Sequence, residues 1–411
     1  MKQFEVPNGY RSRLITAIKQ KRKADDKLKK DFSPTLLDLG PVQFYLARHF
    51  GFCYGVENAI DIAYKTIEEN KGKRIFLLSE MIHNPQVNAD LIQKGVKFLH
   101  DTSGNAIIPL SELNADDVVM IPAFGTTLEL ESIITEKGIQ IQKYNTTCPF
   151  VEKVWNRSEQ IAKKGYSIII HGKPKHEETR ATFSHAAANT PTLVVNDMEE
   201  TIILGDFILG KIDLATFNKT FANRYSAGFN PANDLTKIGV VNQTTQLATD
   251  TQAISDYLRG IILEKYGTDS IENHFADTRD TLCYATNDNQ SAVIGLLKTA
   301  ADIAIVMGGK NSSNSSHLVE LCEQKLPTYF IDDASKIVSD HEIISNNWKN
   351  KETFKVENYL PKKEVIRILM TSGASCPDTV VEASIRKIAS YFGKQDMVDQ
   401  ITSEWELALP H

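Results

Sequence analysis

The sequence predicts an α/β protein: three pseudo-threefold-related α/β domains with mainly parallel sheets, whose polar turns would converge on one central pocket if the three face one another. Two observations carry this expectation. From Val42 onward, short β-rich runs alternate with longer amphipathic stretches, the texture of βα units around parallel sheets. Three widely spaced cysteines, Cys53, Cys148 and Cys283, each stand at a predicted helix start. After each comes the same order of parts: helix, strand with a polar turn, later strand with a polar turn.

Residues 1–41 form a charged lead (RSRLITAIKQKRKADDKLKKD) with few core candidates, and the expectation is a solvated helical extension. The first unit, 42–147, runs from Cys53 through the helix YGVENAIDIAYKTIEEN to the strand RIFLLSE. It continues to the turn MIHNP and the second strand VVMIPAFGTT. The second unit, 148–282, runs from Cys148 through VEKVWNRSEQIAKKG and YSIIIHG to the turn HGKPKHEET. Its later strand KIGVVNQTT is delayed by an insertion at about 197–237, whose aromatic and helical content predicts a small subdomain. The third unit, 283–395, runs from Cys283 through QSAVIGLLKTA and DIAIVMGG to KNSSNSS, then to VIRILMTSG and ASCPD; 396–411 is a tail.

The 411 residues are 42% hydrophobic and 24% charged, enough chain for two or three globular domains. No apolar run reaches the ~18 residues of a membrane-spanning helix, and no signal-type hydrophobic region opens the chain, so a cytoplasmic location without membrane association is expected. Net charge of -6 argues against nucleic acid as a partner. Five cysteines, odd in number and far apart, suggest ligands or buried thiols rather than disulfides.

A helix N-terminus stabilises a thiolate, and thiolates bind iron. Three of them can hold an iron-sulfur cluster, whereas a 4Fe-4S cube normally takes four cysteines, so one iron would stay open to substrate. The turns supply the rest. Ser312, Ser313 and Asn314 in NSSN offer hydroxyls, an amide and helix-start N–H groups to a phosphate, and Ser375 can act the same way. His83 and His176 are donors in the right tautomer. Five such turns on one rim favour anion binding. Glu178 is the carboxylate expected inside the pocket as proton donor to a leaving hydroxyl, with Thr244 orienting that hydroxyl. Glu177 reads as an ordinary helix-start acid.

The ordered set GFCYGV, MIHNP, TTCPFVEKV, HGKPKHEET, NQTT, LCYAT, GGKNSSNS and TSGASCPD resembles the 4-hydroxy-3-methylbut-2-enyl diphosphate reductase family, in its longer plant and cyanobacterial form, over about residues 42–390. The resemblance implies a three-domain trefoil around a central iron-sulfur site, a 4Fe-4S cluster on Cys53, Cys148 and Cys283. It implies a two-electron reductive dehydration yielding isopentenyl and dimethylallyl diphosphate, the last step of the methylerythritol phosphate route. His83, His176, Ser312, Ser313, Asn314 and Ser375 would bind the diphosphate, while Thr244 and Glu178 serve the allylic hydroxyl, and ferredoxin or flavodoxin is the expected electron donor. Phe124 stands where many bacterial members have a histidine. Its absence is expected to be offset nearby, by Thr126, Lys173 or Lys310.

Two other readings stay open on the residues. A quinolinate-synthase-like dehydratase also sets one cluster among three pseudo-symmetric domains but needs no diphosphate cradle. A non-enzymatic iron-sulfur sensor predicts no convergent acid.

Overall fold

The computed structural model describes residues 4–28, 30–276, 278 and 281–408. The chain divides into two compact units: one from the described residues of Met1–Glu57, His83–Ala89 and Tyr284–His411, the other from those of Asn58–Ile82 and Asp90–Cys283.

The first unit is built on a five-stranded sheet in the order Thr35–Asp38, Val42–Leu46, Ile366–Ser372, Ile303–Met307, Thr328–Ile331. All neighbours are parallel except the first pair, where Leu36 faces Tyr45 in an antiparallel ladder. Ile303–Met307 is buried at every position, which explains its unbroken apolar run where a one-faced strand would alternate. The flanking helices bury Ala292, Val293 and Leu296, then Leu318 and Val319, then Val381, Ile385 and Ile388 against it.

Two expectations are corrected here. The lead is not a solvated extension: its helix Arg13–Asp25 inserts Leu14, Ile15 and Ile18 into this core, each at most 2% exposed. Burying a side chain of that size is worth roughly 1.5–3 kcal/mol, so three of them anchor the helix despite its lysines and arginines. Val42–Leu46, expected to open the first unit, is instead a strand of the last sheet, with Val42 beside Ile366 and Leu46 beside Met370. The hairpin of Glu342–Asn346 and Thr353–Glu357 was not anticipated.

The second unit holds two three-stranded parallel sheets. One has the order Val96–Phe98, Ile75–Leu77, Val118–Met120; the other Thr192–Val195, Ser167–His171, Ile238–Asn242. In both, the earliest strand is central, the next lies on one side and the last on the other. The strands Ile303–Met307, Thr328–Ile331 and Ile366–Ser372 of the first unit follow the same rule. The repetition read from the cysteines is therefore also a repetition of strand order.

The insertion folds into the helices Met198–Ile208, Leu214–Phe221 and Pro231–Asp234. Phe217 and Phe221 are fully buried and share a core with Ile169 and Leu193 of the adjoining sheet, so the insertion thickens that layer. No helix among the described residues is long and apolar enough to cross a membrane.

Candidate active site

Each of the three cysteines sits one residue before a helix: Cys53 before Tyr54–Glu69, Cys148 before Pro149–Ala162, Cys283 before Tyr284–Leu296. None of the five cysteines is in a disulfide; these three are half-buried, whereas Cys322 and Cys376 are buried. Burial pushes the Cys53 thiol up, and the N–H groups of Val56 and Gly55 in the first helical turn pull the other way. Burial raises the Cys322 thiol to about 12, which suits an inert core thiol.

In the first unit, five of the expected anion-binding side chains are buried together on the motif turns. His83, Ser312, Ser313, Asn314 and Ser375 are each no more than 9% exposed. Ser312 caps Ser313–Glu323, its hydroxyl accepting from Ser315 N–H. Asn314 Oδ1 accepts from Ala374 N–H at 2.9 Å and from Asn289 Nδ2 at 3.3 Å. Ser375 Oγ donates to the His83 carbonyl at 3.3 Å, and Cys53 N–H donates to the Ala374 carbonyl at 3.1 Å. Gly309 packs so closely on the His83 carbonyl that a Cβ there would collide with it. The turns NSSN, SGAS and MIHNP are thus knitted into one polar surface.

Among the described residues, Ser313 Oγ and Asn314 Nδ2 are buried without a hydrogen-bond partner. A buried orphan donor costs ~1–3 kcal/mol, so a pair of them beside the open N–H groups of a helix start is expensive unless an anion accepts from them.

In the second unit, Cys148 N–H donates to the Ala123 carbonyl at 2.9 Å, next to Phe124. Phe124 meets the His176 ring edge-on, with 5.7 Å between centroids. His176 caps the helix Glu177–Ala187, its Nδ1 accepting from Glu178 N–H at 3.2 Å. An accepting Nδ1 leaves Nε2 as the protonated nitrogen of the neutral ring, the tautomer a phosphate oxygen requires.

Glu178 is 2% exposed, and its Oε1 accepts from Thr244 N–H at 2.6 Å. The Thr244 carbonyl in turn accepts from Cys283 N–H at 3.2 Å. One peptide segment therefore ties the expected acid to an expected metal ligand. Gln243, which sequence reasoning passed over, holds this arrangement: its Oε1 accepts from Thr179 Oγ1 at 3.0 Å, from Gln246 Nε2 at 3.0 Å and from Lys173 N–H at 3.2 Å. Asn289 and the Ala374 peptide were also missed. Only the motif strings around them could have marked them.

Cys53 belongs to the first unit, Cys148 and Cys283 to the second. Among the described residues no group of three or more histidine, cysteine, aspartate or glutamate side chains is gathered closely enough to hold a metal ion. What fits an iron-sulfur cluster is the donor chemistry: three partly accessible cysteines outside any disulfide, each at a helix start. A cleft of about 500 Å³ in the second unit, lined by Asn242, Thr251, Arg259 and Phe275, contains none of the expected site residues.

Fold and site define an α/β enzyme whose strand-end turns gather hydroxyls, amides and helix N-termini, the groups that suit an anion. The family model described as LytB protein matches residues 44–389. The 4-hydroxy-3-methylbut-2-enyl diphosphate reductase of Prochlorococcus marinus (strain MIT 9313) is 40% identical over 383 residues, covering 93% of this chain and 91% of that one. The reductase of the same name from Rippkaea orientalis (strain PCC 8801 / RF-1) is 40% identical over 352 residues, 85% of each chain. The solved structure of the E-1-hydroxy-2-methyl-but-2-enyl-4-diphosphate reductase from Plasmodium falciparum shares the fold, with a TM-score of 0.60 at 22% identity over 84% of this chain and 87% of that one. The chain belongs to the LytB family of 4-hydroxy-3-methylbut-2-enyl diphosphate reductases, oxidoreductases of isoprenoid biosynthesis.

Proposed function

We propose that this chain reduces 4-hydroxy-3-methylbut-2-enyl diphosphate to isopentenyl and dimethylallyl diphosphate, losing the allylic hydroxyl as water. The observation that carries the reading is the Thr244 peptide, hydrogen-bonded on one side to the Glu178 carboxylate and on the other to the Cys283 amide. It links a candidate proton donor to a candidate metal ligand, which a dehydrating reductase needs and a plain redox sensor does not.

Cys53, Cys148 and Cys283 would hold a 4Fe-4S cluster with one iron open to the substrate, and that group supplies the two electrons, received from a ferredoxin or flavodoxin. Ser312, Ser313, Asn314, Ser375 and His83 bind the diphosphate, and His176 donates to it through Nε2. Thr244 orients the hydroxyl, and Glu178 delivers the proton that lets the C–O bond break. Five cysteines without a disulfide among them agree with a reducing, cytoplasmic setting.

Anaerobic turnover with a strong low-potential reductant, with both five-carbon products quantified, tests the proposal. Iron and sulfide analysis accompanies it. A protein that retains its cluster yet leaves the hydroxylated diphosphate untouched would refute the assignment.

A further inference from the structure

The lead touches the loop that carries Cys53 at several points. The Phe4 ring meets Tyr54 edge-on, with 4.8 Å between centroids, and Tyr10 meets Phe52 in the same way at 5.8 Å. Lys19 Nζ lies 5.1 Å from the centre of the Phe50 ring and pairs with Asp378 at 2.7 Å. Gly51, between those aromatics, has φ +81°, and a Cβ there would run into both the Asp378 carboxylate and the Lys19 ammonium. Phe50, Gly51, Phe52 and Tyr54 are thus each held by a lead residue or by its ion-pair partner.

The lead itself is fastened. Phe4 and Tyr10 are 6% and 3% exposed, the Phe4 carbonyl accepts from Arg11 Nη2, and the Gly9 carbonyl accepts from Thr379 Oγ1. On its other side the loop is tied by Cys53 N–H to Ala374, by Ala374 N–H to Asn314, and by Tyr54 N–H to the Tyr284 hydroxyl.

We propose that the lead, through Phe4, Tyr10 and Lys19, is a brace that fixes the Cys53 loop and so positions that thiol relative to the Ala374–Asn314 turn. Without it, a loop bearing three aromatics and a left-handed glycine would lose the ring and ion-pair contacts that hold it in one conformation. The inference rests on Cys53 being a ligand, but its test reads the loop whether or not metal is bound.

The test uses the full chain, metal-loaded and chelator-treated, as wild type, Tyr10→Ala and Tyr10→Phe. Amide exchange in peptides covering residues 50–57 should accelerate roughly tenfold in Tyr10→Ala, because exchange follows the free energy of local opening. Alkylation of Cys53 in the chelator-treated protein should rise in parallel. Peptides around Cys148 and Ser167–His171 should be unchanged, and Tyr10→Phe, which keeps the ring, should behave as wild type. Alkylation of Cys322 and Cys376 reports whether the core survives; if it does not, Phe4→Leu is read in the same way. No acceleration at residues 50–57, or an equal acceleration everywhere, overturns the brace. Normal loop protection with low iron content would instead count against Cys53 as a ligand.

Discussion

Glu178 Oε1 and Thr244 N–H are joined at 2.6 Å although 66 residues separate them, and both residues are nearly inaccessible. This bond fixes where the acid points. Glu178→Gln keeps an oxygen to accept from Thr244 N–H but cannot supply the proton. The variant is expected to retain its iron and lose roughly 10² to 10⁴ in kcat, the usual contribution of a positioned general acid. A loss under about threefold in steady-state assays removes Glu178 from that role.

Cys148 is the capping residue of Pro149–Ala162 and makes no side-chain cap bond, so its sulfur is not needed to start the helix. Cys148→Ser should therefore fold normally while binding little iron. Iron content alongside circular dichroism checks this, and a fully active, iron-poor variant contradicts the ligand assignment.

Phe124 is expected to act by orienting His176, which it meets edge-on. An aromatic pair of this kind contributes about 0.5–1.5 kcal/mol, so Phe124→Leu should raise KM for the diphosphate by roughly two- to twelvefold and leave kcat nearly unchanged. A dominant fall in kcat would place Phe124 in the chemistry instead.

Leu14 is fully buried in the core of the first unit. Leu14→Ala is expected to cost about 2–5 kcal/mol, measured by denaturant unfolding. A cost near zero would return the lead to the status of a surface extension.

Cys322, with its thiol near 12, should resist alkylation below that pH, because only the thiolate reacts and its fraction falls tenfold for each pH unit below the pKa. Cys376 is raised by burial as well and should behave alike. Replacing either by Ala leaves iron content unchanged if they are core residues, as read from metal analysis of the two variants.

Residue order alone established the parts whose signals are local. A cysteine before a helix start, an apolar run long enough for a strand, and turns such as NSSN and HEET depend on neighbours a few positions away, and the structure has each helix beginning right after its cysteine. The aromatic insertion was legible as a folded segment for the same reason. Tertiary structure alone decided which of several equally apolar strands pair, so that Val42–Leu46 lies beside Ile366–Ser372. It decided that Leu14, Ile15 and Ile18 outweigh the basic residues around them, and that Gln243 and Asn289 organise the site. These outcomes turn on burial and on hydrogen bonds between residues far apart in the chain, and such energies exist only once the chain has closed on itself.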